Sequence, residues 1–157
     1  MKSKIDIAND ILSRQLSWIS SSDNKVPAIF AINTAMLGVV AALLNSFENW
    51  SKLNSILITI LLIFLLGSVV CLAVATFPRL NGPKGSLIYF GGIVTRSLEQ
   101  YKTEIQNLSD DKLIVEILTQ VYRNAEIATN KFLWVKISMI LTFFSFPFWL
   151  ITVWLIS

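Results

Sequence analysis

Apolar positions in this chain follow two patterns: three long uncharged blocks, and shorter segments around them in which apolar residues recur at helical spacing. The blocks are Val26–Phe47, Leu53–Pro78 and Ile137–Ser157. Each has about 20 residues or more, enough for a helix rising roughly 1.5 Å per residue to cross a hydrocarbon core of about 30 Å. None has the polar stripe of a soluble core helix. The pattern predicts an all-α membrane protein: residues 1–157 form one membrane domain with transmembrane spans at 26–47, 53–78 and 137–156.

The flanking segments read as helices of another kind. Within residues 1–25, Ile5, Ala8, Ile11, Leu12, Leu16 and Ile19 recur at helical spacing, which predicts an amphipathic helix over 3–22. It can lie on the inner leaflet or pack on neighbouring helices. Ser20-Ser21-Ser22-Asp23 is expected to break that helix and cap the first span. Pro78 ends the second span by removing an amide donor, and Asn81-Gly82-Pro83 continues the turn. The apolar run Leu87–Ile93 is too short to cross a bilayer, and a polar helical stretch follows around Ser97–Leu108. Ser109-Asp110-Asp111 marks a helix start, with a cap and two carboxylates at the positive end of the dipole. No Pro or Gly follows until Pro147, so this helix is expected to run without a break into the third span. Leu113, Ile117, Val121 and Ala128 give it an apolar stripe, with Leu118 and Tyr122 alongside.

Composition agrees with the membrane class: 54% of residues are hydrophobic, 15% are charged, and mean hydropathy is +0.64. Placement of the charges says more than their sum. Lys2, Lys4, Arg14 and Lys25 precede the first span, and Arg79, Lys84, Arg96, Lys102, Lys112, Arg123, Lys131 and Lys136 lie between the second and third. The link between the first two spans has only Lys52, near Glu48. The positive-inside bias puts the N-terminus and residues 79–136 in the cytoplasm, and the Glu48–Lys52 tip and the C-terminal end outside. Trp50, Trp149 and Trp154 are then candidate interfacial anchors on the outer side.

The same composition narrows the chemistry. The chain has no His, and its one cysteine, Cys71, lies within the second span. His-based acid–base catalysis, thiolate metal sites and disulfides are therefore not expected, nor is a cofactor or metal. Glu99, Glu104, Asp110, Asp111, Glu116 and Glu126 read as solvated helix charges, so an enzyme is the least favoured class. No acid or base lies deep in a span, which argues against a proton relay or an ion-coupled transporter.

Small residues stand out inside the spans. Ala28, Ala31, Ala35, Gly38 and Ala42 share a narrow face of the first, and Gly67, Cys71 and Ala75 recur at four-residue steps in the second. Such faces let helices approach closely in lipid. They are expected to meet, within one subunit or between subunits. Asn33, roughly opposite the first small face, needs a partner: either a bond to a neighbouring helix or backbone, or a subunit contact or pore-lining position. Pro147 is expected to kink the third span, as a static bend or as a hinge.

Several of these residues together resemble the Pycsar effector transmembrane family (PycTM), membrane effectors of bacterial pyrimidine-cyclase antiphage systems. The resemblance runs from Trp18, Asp23 and Lys25 to a span opening Ala31-Ile32-Asn33-Thr34-Ala35. It continues past Pro78 with Leu87-Ile88-Tyr89-Phe90-Gly91 and Tyr101, and ends with Ala128, Lys131, Phe132 and a last span. Gly92 stands where the family pattern has a polar or acidic residue. The resemblance implies an effector in the bacterial inner membrane that responds to a cyclic pyrimidine mononucleotide, cyclic UMP or cyclic CMP. It also implies a nucleotide cyclase as functional partner, a homo-oligomer, and no role for a nucleic acid polymer. The strands and glycine-rich cassette of a cyclic-nucleotide-binding β-roll are missing from the pattern, so a nucleotide site would be built from the helical segment between spans. Candidate groups are Arg79, Lys84 and Arg96 for charge, with Lys102 beside them, Tyr89, Phe90 and Tyr101 for ring contacts, and Gly91-Gly92 for close backbone approach. The plainer alternative makes Tyr89 and Phe90 buried packing residues and the cations partners of lipid head groups.

Two functions remain open on the sequence: a ligand-activated effector that makes the membrane leaky, and a constitutive assembly or accessory subunit of another membrane complex. Both require the same orientation. Reporter fusions at residue 50 and near residue 105 are expected on opposite faces of the membrane, which paired phosphatase and fluorescent-protein fusions will read.

Overall fold

The computed structural model describes residues 2–44, 48 and 50–156. It has six helices: α1 (Lys4–Asp23), α2 (Val26–Leu44), α3 (Lys52–Thr76), α4 (Phe90–Ile93), α5 (Leu98–Gln106) and α6 (Asp110–Ile156). No strand occurs among the described residues. Three helical segments are long and apolar enough to cross a membrane. The last residues of the expected first span, 45–47, lie outside the described residues.

Local chemistry explains most of the boundaries. Ser3 and Asp6 cap α1 reciprocally: the Ser3 amide donates to Asp6 Oδ2 at 3.0 Å and the Asp6 amide to Ser3 Oγ at 3.1 Å. The Ser3 amide holds the Asp6 carboxyl below its usual pKa. The serines at 20–22 do not break α1. It continues through them to Asp23, and the chain turns at Asn24 and Lys25. In that turn the Lys25 amide donates to the Ser22 carbonyl at 3.2 Å. Ser51 caps α3 by accepting from the Asn54 amide at 3.1 Å. At the other end Phe77 takes an extended ψ of 128°, as a residue before proline prefers. Ser97 and Gln100 form a capping box that starts α5. Helix α6 runs 47 residues without interruption and includes Pro147.

The chain divides into two compact units. The three-helix unit comprises Ser22–Phe77 and Lys131–Ser157, with the apolar segments of α2, α3 and α6. Ile29, Leu72, Ala75 and Val135 form one core cluster, and Met36, Val40, Leu61 and Leu65 form another. A polar knot is buried in the same unit. Asn33 Nδ2 donates to Ser68 Oγ and to Thr142 Oγ1, both at 3.0 Å, and to the Ile29 carbonyl at 2.9 Å. Ser68 Oγ also lies 2.7 Å from Ser138 Oγ and 2.9 Å from Thr142 Oγ1. Asn33, Ser68 and Ser138 have no exposed surface. Asn33 is therefore an interhelical tie to α3 and α6, the first of its expected roles. Trp149, an expected interfacial anchor, donates its indole N–H to the Met36 carbonyl at 3.1 Å.

The two small-residue faces do not meet within the chain. The buried face of α2 is Ile29, Asn33, Met36 and Val40, so Ala28, Ala31, Ala35, Gly38 and Ala42 point away from the unit's core and are exposed. Nothing lies within 4 Å of where a Gly38 Cβ would stand. On α3, Gly67 faces Leu141 of α6, 3.5 Å from where its Cβ would stand, while Cys71 and Ala75 are buried. The polar knot decides this rotation, because Asn33 must face its partners and the alanines lie on the far side of the same helix. At the start of the third apolar segment, Lys131 Nζ pairs with Asp23 Oδ1 at 2.6 Å and Lys25 Nζ lies 5.4 Å from the Phe132 ring centroid.

The loop-rich unit comprises Met1–Ser21 and Pro78–Asn130. Helix α1 packs here through Ala8 and Gln15, both buried, while Ile7, Leu16 and Trp18 are exposed. Ile117 and Ala128 are buried on the expected stripe of α6, whereas Leu118 and Tyr122 are exposed.

Removing the Asn33 amide tests the knot. Asn33→Ala is expected to lower stability by about 1–2 kcal/mol in SDS-titration unfolding. Asn33→Ala combined with Ser68→Ala is expected to lose less than the sum of the two, because they share partners.

Candidate ligand site in the loop-rich unit

Residues 79–96 have almost no regular structure, so side chains must hold their backbone in place. Glu116 of α6 does this from below: its Oε2 accepts from Ser86 Oγ at 2.7 Å and from the Leu87 amide at 3.1 Å. Ser86 Oγ in turn accepts from the Ile88 and Tyr89 amides, each at 3.2 Å. Tyr101 donates its hydroxyl to the Leu87 carbonyl at 3.1 Å. Arg96 closes the loop with all three side-chain nitrogens. Nε binds Glu104 at 2.8 Å, Nη1 the Gly92 carbonyl at 2.5 Å and the Ser86 carbonyl at 3.3 Å, and Nη2 the Gly85 carbonyl at 2.5 Å. Gly85 has φ of 72°, a conformation that suits glycine.

Tyr89 is lodged by two glycines. A Cβ on Gly82 or on Gly91 would overlap its ring, and its hydroxyl donates to the Leu80 carbonyl. A Cβ on Gly92 would overlap the Ser86 carbonyl. The Gly91-Gly92 pair therefore allows close approach by the protein's own ring and backbone.

Above this scaffold lies a cavity of about 420 Å³. Leu12 and Leu16 of α1, Arg79, Asn81, Gly82, Ile88, Tyr89 and Phe90 of the loop, and Gln120, Arg123, Asn124 and Ile127 of α6 line it. Its lining has two guanidinium groups and no carboxylate, which favours an anion. Arg123 is partly committed, donating from Nε to the Asn81 carbonyl at 2.7 Å and from Nη1 to Glu126 at 2.8 Å. Gln120 Nε2 donates to Asn124 Oδ1 at 3.3 Å. Arg79 Nη1 and Gln120 Oε1 are buried with no hydrogen-bond partner among the described residues.

The predicted ligand residues are thus distributed among several places. Arg79, Tyr89 and Phe90 meet at the cavity. Lys84 and Gly91 lie on a separate depression that Tyr89 also borders, and Arg96 lines a third beside Glu104 and Asp111. Arg96 works as a loop clamp because four carbonyl and carboxylate contacts already occupy its guanidinium. Two of the supposed solvated carboxylates are likewise structural, Glu116 under the loop and Glu104 on Arg96. Reading by charge and rings missed Gln120 and Asn124. The signal for Asn124 was present: it stands in register with Ile117 and Ala128 on the apolar stripe of α6, where a polar residue is out of place.

Crowding at Gly92 gives a direct test of the scaffold. Gly92→Ala forces its methyl into the Ser86 carbonyl and is expected to destabilise the unit by roughly 1–3 kcal/mol. Faster amide hydrogen exchange across residues 85–96 would register it.

Comparison with known proteins places this chain in a family. Residues 7–156 match the model of the PycTM Pycsar effector protein domain. The Pycsar effector protein PtPycTM of Propioniciclava tarda is 26% identical over 143 residues, covering 83% of this chain and 69% of the relative. GmPycTM of Gulbenkiania mobilis is 25% identical over 150 residues, covering 77% and 76%. No solved structure gives a significant match. With the match spanning nearly the whole chain, this protein belongs to the Pycsar effector (PycTM) family.

Proposed function

We propose that this chain is a membrane effector of antiphage defence, activated by cyclic UMP or cyclic CMP, that stops phage propagation by impairing the inner membrane. The family match over residues 7–156 carries this reading. The apolar segments of α2, α3 and α6 support a place in the bilayer. The loop-rich unit, with an anion-favouring cavity, supports a sensor, and the positive-inside bias assigns it and residues 79–136 to the cytoplasm. A nucleotide cyclase would supply the ligand. Helix α6 contributes Gln120 and Asn124 to the cavity and Ser138 and Thr142 to the polar knot, so one unbroken helix belongs to both sensing and membrane parts. The exposed face of Ala31, Ala35 and Gly38 suits contact between copies in lipid, and the output is a change in the bilayer without a chemical reaction.

Cells expressing the chain with a cyclase that makes cyclic UMP or cyclic CMP are expected to lose membrane potential within minutes, as read by a voltage-sensitive dye. An unchanged potential at saturating levels of both nucleotides would overturn the proposal.

A further inference from the structure

Two residues that line the same cavity, Arg79 and Gln120, each have a buried side-chain atom without a hydrogen-bond partner, and the two atoms have opposite character. Arg79 Nη1 is a cationic donor, and Gln120 Oε1 is a neutral acceptor. Burying such a group without a bond is costly, and native proteins seldom leave one in that state. The Gln120 amide is oriented by its bond to Asn124, which leaves the oxygen for a donor from elsewhere. A ligand that draws these two side chains toward it would present an anionic acceptor to Arg79 and an N–H or O–H donor to Gln120. Tyr89 lines the same cavity with a ring held in place by its own scaffold, a surface for a flat group. A volume of about 420 Å³ falls in the range of small-molecule sites and accommodates a mononucleotide.

We infer that this cavity is the nucleotide site, with Arg79 holding the cyclic phosphate and Gln120 Oε1 accepting from the pyrimidine edge. The donor is N3–H in uracil and the 4-amino group in cytosine. Arg79 is the guanidinium for the phosphate because Arg123 already serves Asn81 and Glu126. The inference rests on the reading of the chain as a nucleotide-activated effector and adds where the nucleotide binds and which residues recognise it. A lipid head group also has a phosphate, and the two sources part at Gln120, which contacts the base.

The test is calorimetric titration of cyclic UMP and cyclic CMP into the full chain in phosphatidylcholine nanodiscs, repeated in discs enriched in phosphatidylglycerol. The chain is expected to bind at least one of the two. Arg79→Gln and Gln120→Leu should each weaken that binding roughly tenfold or more, as losing a charge-assisted or buried hydrogen bond does, with unchanged helicity and melting. Arg79→Lys, which keeps the charge, should recover part of the affinity. If the chain binds nucleotide and both removal variants bind equally well, the site lies elsewhere, and the effector reading stands without it. If phosphatidylglycerol competes the nucleotide away and Gln120→Leu has no effect, the cavity holds a head group and the inference fails. A chain that binds neither nucleotide overturns the site and the reading together.

Discussion

Apolar side chains gain little by leaving acyl chains for a neighbouring helix, so helices in lipid are held by packing and by polar groups that find one another. In this protein that constraint falls on four side chains. Asn33, Ser68, Ser138 and Thr142 come from three helices and share one cluster of hydrogen bonds. Each apolar segment could otherwise rotate at small cost, because nearly all of its faces are greasy. The cluster fixes the rotation. It aims Met36 and Val40 at Leu61 and Leu65, and it turns the small-residue face of α2 away from the core.

The loop-rich unit solves a different problem with similar means. A glycine-containing segment with little secondary structure must be held by side chains, and Glu116, Arg96 and Tyr101 supply the holding groups. Using charge in this way leaves few ionic groups free. Arg96 is engaged by the loop and Arg123 by Asn81 and Glu126, so the cavity's uncommitted cationic donor is Arg79. Which cation of the cavity lining is left for a ligand thus follows from which cations the scaffold has already used.

Much of the architecture was legible in the order of residues. The uncharged blocks, Pro78 and the helix start at Ser109-Asp110-Asp111 are local signals, and the structure follows them. The run from Asp110 through the last span is also local, since no Gly or Pro interrupts it before Pro147. What was not legible depended on partners distant in sequence. The direction of the small face required knowing that Asn33 meets Ser68 and Thr142, which are 35 and 109 residues away. Arg96 looked like a phosphate ligand until Gly85, Ser86, Gly92 and Glu104 converged on it. A neutral amide such as Gln120 resembles a solvated polar residue on a helix and reveals itself only when the cavity forms.

The bond between Trp149 and the Met36 carbonyl has a practical consequence. An indole whose N–H is bonded inside a helical bundle senses a local field different from one facing lipid or water, and its emission colour changes when that bond is lost. With the other four tryptophans replaced by phenylalanine, the chain would carry an intrinsic optical gauge of whether α2 and α6 stay together. No dye or label would be needed to watch the bundle loosen.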